Sequence, residues 1–453
     1  MAQPTLPLEA LRAAEVIRRA DIVIGIPSYN NARTIGHVVR AANAGLAKYF
    51  PQLTAVVINS DGGSSDGTCD AVLSARVEDS HLMLLSTPLL AAHRLSFPYH
   101  GVPGKGSAFR MVFQLARQLD AKACAVVDSD LRSITPEWID LLIRPILFAG
   151  FDFVAPYYQR HKYDGTITNS IVYPLTRMLY GVSVRQPIGG EFGISARLIQ
   201  RYLQRQDWET DVARFGIDIW MTTIALAEGY RVCQSFLGAK LHDAKDPGSD
   251  LSAMLQQVVG SVFALMEEYD SIWRQRTGSS PAELFGFRFD VGLDPIAVNV
   301  ERMVNSFRRS TADLGEIWES ALERPTLAEV RNLASESGRD RRLFHFDDQL
   351  WTDVVLQFAC AFRKHPIARG TILRSMTPLY LARVASFVLE TEKLMAPEVE
   401  DRIEQLCRTF ENAKPQFLTK WEASGKAGKH YAAARSQDAP RPLTAAQLEV
   451  NHD

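Results

Sequence analysis

Ala123-Cys124-Ala125-Val126-Val127-Asp128-Ser129-Asp130 is the stretch on which the reading of this chain turns. Five apolar residues followed by two carboxylates two positions apart describe a buried strand that ends in a polar cleft. An Asx turn capping a helix at Pro136 would account for the aspartates alone. The neighbouring sequence favours the cleft. Upstream, Asp21–Pro27 reads as a strand, Thr34–Phe50 as a helix and Thr54–Asn59 as a second strand. His81–Ser86 reads as a third strand, residues 87–104 as a long loop, and Gly106–Leu119 as a helix. Such alternation from about residue 20 to 240 predicts an α/β fold with a Rossmann-like, doubly wound, mostly parallel sheet. Ligands bind beyond the carboxyl ends of strands in such sheets. The polar clusters Ser28–Asn30, Ser60–Asp66 and Asp128–Asp130 all fall there.

Past residue 250 the pattern changes to helical periodicity, in segments near 252–274, 296–321, 326–336, 347–363, 377–395 and 397–412. This divides the chain into a ligand-binding domain over 1–250, a helical region over 251–421 and a polar, loose tail over 422–453. The helical region offers a surface for a homodimer. The 453 residues carry 50 basic and 52 acidic side chains, a net charge of −2 that gives no overall pull toward nucleic acid. The N-terminus lacks a signal-like apolar core, and no run of 18 apolar residues predicts a membrane span. Five cysteines, at 69, 124, 233, 360 and 407, form no CxxC pair. A reducing, cytoplasmic setting is expected.

Several clusters carry chemistry. Asp128 and Asp130 offer hard oxygens to Mg²⁺ or Mn²⁺, which neutralises a diphosphate leaving group. In Asn59–Thr68, three glycines and two aspartates let backbone approach a ligand; Asp61 suits the N–H groups of a base, and Asp66 caps a helix. Gly101–Ser107 places Lys105 at a helix N-terminus, where phosphate binds well; the glycine spacing is not that of a Walker A loop. Val184–Glu191 sets Arg185 beside paired glycines, suited to a carboxylate or phosphate. Asp218 opens a helix. After the strand Arg231–Leu237, His242 can complete a metal site begun by two aspartates.

Together these motifs resemble the GT-A glycosyltransferases. Pro27-Ser28-Tyr29-Asn30 looks like their P-x-[YL]-N element, Ser60–Thr68 like their D-G-S-x-D-x-T loop, and Asp128-Ser129-Asp130 like their DxD. Residues 21–245 are similar, more narrowly, to the retaining glucosyl-3-phosphoglycerate, glucosylglycerate and mannosylglycerate synthases. The resemblance rests on Pro103-Gly104-Lys105-Gly106, Pro187–Glu191, Gly216–Asp218 and Gly238–His242. It implies that Pro27, Tyr29, Asn30, Asp61 and Ser129 line the donor, a GDP-, UDP- or ADP-hexose. Lys105 contacts base or phosphate. Asp130 and His242, helped by Asp128, hold the metal, and Asp218 touches the sugar hydroxyls. Arg185, Gly189, Gly190 and Lys240 meet a small acidic acceptor. Lys240 stands where arginine is expected, which favours glycerate over 3-phosphoglycerate.

The reaction so implied moves glucose, or mannose, to D-glycerate with retention, giving a compatible solute of the glucosylglycerate type. Three alternatives are kept: 3-phosphoglycerate as acceptor, an inverting transferase with Asp218 as general base, and a binding protein without turnover.

Overall fold

The computed structural model describes residues 6–75, 93–98, 104–241, 252–289, 292, 296–336 and 344–437. Ten strands are present among them: β1 Ile22–Ser28, β2 Ala55–Asp61, β3 His93–Pro98, β4 Ala123–Val126, β5 Phe153–Gln159, β6 Val182–Ser183, β7 Phe192–Ser195, β8 Val232–Ala239, β9 Ser280–Pro281 and β10 Glu283–Phe285. Eight form one sheet in the order β10-β8-β5-β7-β4-β1-β2-β3, while β6 pairs with β9. All pairings in the large sheet are parallel except those of β7, which lies antiparallel between β4 and β5. It follows the Val184–Glu191 turn, which the sequence shows only as a loop.

The strands form because their apolar runs are buried on both faces. On β1 the alternation is still legible: Val23 faces one core, and Ile22, Ile24 and Ile26 face the other. β1 and β4 are neighbours, and the chain leaves them toward opposite edges of the sheet. Their carboxyl ends therefore open a crevice at the topological switch point. Pro27 and Ser28 end β1 at that crevice, and Asp128 follows β4 into it.

Three expectations need correction. The third described strand is His93–Pro98, inside the stretch read as a loop; 81–86 lies outside the described residues. The boundary at 250 is not a boundary of the core: β10 adds to the sheet, and a single apolar cluster joins Phe113 and Trp220 to Trp318, Trp351 and Trp421. Residues 422–437 continue the helix Ala396–Gln437 rather than forming a loose tail. Trp421 anchors that helix in the core, 5.5 Å from Trp273.

The helices Arg369–Thr391 and Ala396–Gln437 each run through a proline, Pro378 and Pro415. Sequence patterning starts the first of them at 377, because a proline inside a helix costs about 3 kcal/mol. Burial of both flanks offsets that here. This helix also has the length and mean hydropathy, 1.2, of a membrane span, contrary to the sequence reading. Yet 72% of its apolar window is buried inside the protein, as in the core helix of a globular fold.

Candidate donor and acceptor site

A cleft of about 800 Å³ lies over the carboxyl ends of β1 and β4, within the range of small-molecule sites. The two loops beside it are locked by hydrogen bonds. Asn59 donates to Ile26 O and Ser28 Oγ, and Ser28 Oγ donates to Asp61 at 2.9 Å. Asp61 also accepts from Gly63 N, Ser64 N and Ser64 Oγ. Those bonds overcome its burial and hold its carboxyl below the usual range. Asp61 therefore builds the loop, and it does not line the cleft as the base-reading group. Asn30 behaves likewise. It adopts φ +54, accepts from Ser65 N and receives no place in the lining; its neighbour Asn31 does. Pro27 and Tyr29 line the cleft, and Tyr29 is exposed at its mouth.

Ser129 connects the two loops. Its Oγ donates to Asn31 at 2.8 Å, and its carbonyl accepts from Thr34 Oγ1. The flanking aspartates are thereby fixed in different surroundings. Asp128 accepts from Lys105 at 2.8 Å on one oxygen and from Lys240 at 2.9 Å on the other. Burial alone would raise its pKa, but the two lysines outweigh it and hold the carboxyl well below the ordinary range. Asp130 is half-buried on the cleft wall, and no lysine engages it among the described residues.

Lys105 sits between two glycines for a packing reason. A Cβ on Gly106 would stand 1.8 Å from Val212 O, so only glycine lets the helix Lys105–Gln118 approach that loop. The approach delivers Lys105 to the cleft at a helix N-terminus, where its charge adds to the helix dipole. Lys105 also bonds Asp218 at 3.2 Å. The opposite oxygen, Asp218 Oδ1, is buried without a partner among the described residues. Burial raises the pKa of Asp218, with Lys105 opposing.

Lys240 is nearly sealed. Its Nζ donates to Asp128, to Gly189 O at 2.8 Å and to Glu191 at 2.8 and 3.1 Å. Burial lifts Glu191 above the usual carboxylate range despite Lys240. Gly190, at φ +101, leaves no room for a side chain: a Cβ would lie 2.3 Å from Asp128 Oδ2. Gly189 and Gly190 thus line the cleft and also let Asp128 and Lys240 meet.

Arg185 is elsewhere. Its guanidinium is buried, bonded to Glu400 at 2.6 and 3.0 Å and to Asn169 at 2.9 Å. It fastens the helix Ala396–Gln437 and does not line the cleft, which corrects its assignment to the acceptor. The arginine that does line it is Arg160, just past β5. Arg160 Nε is buried without a hydrogen bond, 3.6 Å from Asp164. The loop through Thr168 completes this wall, joined by Met254 of the helix Ser252–Glu268. An arginine closing a strand-like run ahead of Gly165 was the signal available in the sequence. His242 lies outside the described residues, so the Asp–Asp–His grouping is not tested; no trio of His, Cys, Asp and Glu able to hold a metal occurs among the described ones. Asp128 and Asp130 nonetheless present hard oxygens at one cleft wall, a donor chemistry that fits Mg²⁺ or Mn²⁺.

A family model for the mannosylglycerate synthase GT domain matches residues 44–265. Glucosyl-3-phosphoglycerate synthase from Petrotoga mobilis (strain DSM 10674 / SJ95) is 23% identical over 267 residues, covering 55% of this chain and 75% of that protein. Among solved structures, glucosyl-3-phosphoglycerate synthase from Mycobacterium tuberculosis with Mn²⁺, UDP and phosphoglyceric acid aligns at a TM-score of 0.41 and 22% identity. It covers 58% of this chain and 84% of that one. The same enzyme with Mn²⁺, UDP-glucose and phosphoglyceric acid aligns at 0.41 and 20% identity, covering 59% and 86%. Over these spans the chain is similar to glycosyltransferases that act as mannosylglycerate and glucosyl-3-phosphoglycerate synthases.

Proposed function

We propose that the cleft transfers a hexose, glucose in preference to mannose, from a nucleoside-diphosphate sugar to D-glycerate or a closely related small acid. UDP is the favoured nucleotide, since the Mycobacterium tuberculosis relative is described with it. Tyr29 and Pro27 receive the nucleotide at the mouth. Asp130 and Asp128 would hold a divalent cation, which when bound offsets the charge of the departing diphosphate. Lys105, at its helix N-terminus, adds fixed positive charge beside the same group. Asp218 Oδ1, buried and unpartnered, accepts from a hydroxyl of the transferred sugar. The acceptor hydroxyl gives up its proton to the leaving phosphate and attacks from the same face, so configuration is retained and no side-chain nucleophile is needed.

The observation that carries the acceptor assignment is Arg160. Lys105 and Lys240 donate to carboxylates at hydrogen-bond distance, whereas Arg160 Nε, ion-paired with Asp164 at 3.6 Å, is buried in the cleft wall without a hydrogen bond. One such cation matches one carboxylate. It favours glycerate over a doubly anionic 3-phosphoglycerate. All five thiols are unpaired, which supports a reducing, cytoplasmic setting.

The test is a matrix of UDP-glucose, ADP-glucose and GDP-mannose against D-glycerate and 3-phosphoglycerate with Mn²⁺, read as nucleoside diphosphate release. Transfer to D-glycerate is expected. Donor binding by calorimetry without transfer to either acid would leave the non-catalytic reading instead. Arg160→Gln should raise the acceptor KM roughly tenfold or more, the worth of a charged hydrogen bond, with the donor KM unchanged. The raised pKa and open oxygen of Asp218 also suit a general base in an inverting reaction. Proton NMR of the product decides: a β-linked product from an α-donor establishes that second reading.

A further inference from the structure

We infer that the C-terminal helices position the acceptor side of the cleft, with Lys162 and Tyr380 as positioning residues. The inference rests on the acceptor reading given above. The loop from Arg160 to Thr168 presents its inner side to the cleft. Its outer side is tied to the helix Arg369–Thr391 at three points. Lys162 Nζ donates to Thr391 O at 2.6 Å, Glu392 O at 2.9 Å and Leu394 O at 3.2 Å. A lysine there caps the last carbonyls of the helix and meets the negative end of its dipole. Tyr163 Oη donates to Val388 O at 3.3 Å. Thr166 Oγ1 and Tyr380 Oη share a buried hydrogen bond of 2.5 Å.

The loop's exit is held in the same way. Thr168–Val172 is a π-helical turn, a rare form that gathers at functional sites. Within it, Ser170 O accepts from Trp351 Nε1 at 2.8 Å and Asn169 accepts from the Arg185–Glu400 pair. A cavity of about 20 Å³, roughly the room for one water, lies between Thr166, Asn169 and Ser170 and the helices. The loop in turn fixes Arg160: a Cβ on Gly165 would stand 2.8 Å from its Nη1, and Asp164 faces its Nε. The helices therefore reach Arg160 through one loop, and none of these ties involves Tyr29, Lys105, Asp128 or Asp130. Displacement of that loop should weaken the acceptor and spare the donor.

Lys162→Met and Tyr380→Phe test this with UDP-glucose, Mn²⁺ and D-glycerate. Each should raise the acceptor KM roughly fivefold, the worth of one hydrogen bond, with kcat and donor KM within about twofold. Lys162→Arg should restore most of the loss. Lys414→Met is the control. Lys414 also ties the last helix to the sheet domain, through Met178 O, Leu179 O and Arg276 O, but away from the cleft. It should lower Tm and leave the acceptor KM alone. Hydrogen exchange over residues 160–172 should rise in Lys162→Met and Tyr380→Phe. If both variants behave like Lys414→Met, with unchanged acceptor KM and unchanged exchange, the inference fails. If the wild-type protein transfers to neither D-glycerate nor 3-phosphoglycerate, the functional reading fails separately. Exchange over 160–172 then decides the coupling by itself, a local rise upholding it and no change overturning it.

Discussion

Lys240→Met offers the sharpest separation of packing from catalysis. Lys240 Nζ is the only cation bonded to Glu191 among the described residues, and Glu191 is fully buried. Removing one partner of a buried pair typically costs 3–5 kcal/mol. The low end, about 3 kcal/mol, applies here, because burial already raises the Glu191 pKa and lets it take up a proton. Unfolding entropy of about 2.1 cal/mol/K per residue amounts to roughly 1 kcal/mol/K for a chain of this size, so Tm should fall by about 3 °C. The pH dependence follows in sign. Glu191 already has a folded pKa above the unfolded value of 4.5, and losing Lys240, which opposes that rise, lifts it further; the variant's deficit therefore grows as pH rises through the wild-type folded pKa. Replacing both partners, in Lys240→Met/Glu191→Leu, should recover at least about 2 kcal/mol, since apolar substitutes of similar size are nearly neutral. Transfer activity should remain down roughly a hundredfold, because Asp128 keeps only Lys105. Urea unfolding at pH 5 and 8 supplies the stabilities, and diphosphate release the activity. Additivity of the two single variants within about 0.5 kcal/mol would refute the coupled-pair account. Recovery of activity in the double variant would refute the role given to Lys240 at Asp128.

Other outcomes can be stated briefly. Asp130→Ala should abolish turnover and the Mn²⁺-induced rise in Tm while leaving metal-free stability within about 1 kcal/mol, as befits a half-buried residue; a retained Mn²⁺ shift would remove Asp130 from the metal site. Gly190→Ala should cost about 2 kcal/mol and most of kcat/KM, since its Cβ would meet Asp128 at 2.3 Å and φ is +101; wild-type kinetics would contradict the close approach. Lys48 and Tyr49 overcome partial burial to hold Glu137 at about 2, below its ordinary 4.5. That stabilisation is complete above pH 4.5 and lost as pH falls toward 2. Glu137→Gln should therefore flatten the acid limb of stability by at most about 1 kcal/mol, the pair being half-exposed; an unaltered limb in urea titrations would count against it.

Local pattern was enough to find the strand Ala123–Val126, the switch-point crevice and the aspartates at its edge. A buried parallel strand must be continuously apolar, and polar residues directly after it must face solvent or ligand. Lys105 and Asp218 were legible for the same reason, as charged residues at helix starts beside the sheet. What pattern does not encode is which partner each charge finds. Arg185 has the chemistry of an acceptor ligand, but Glu400, 215 positions away, claims it. Asp61 has the chemistry of a base reader, but its own loop uses both oxygens. Arg160 showed little in the sequence, yet the fold places it in the cleft wall, its Nε facing Asp164 without a hydrogen bond. The helical nature of residues beyond 250 was set by local periodicity, whereas their union with the sheet domain in one core came from long-range burial. Sequence by itself settled the strands β1, β2 and β4 and the acid pair that follows β4, because these depend on neighbours in the chain. Tertiary structure decided which charges pair, because pairing between buried charges depends on distances that only the folded chain sets.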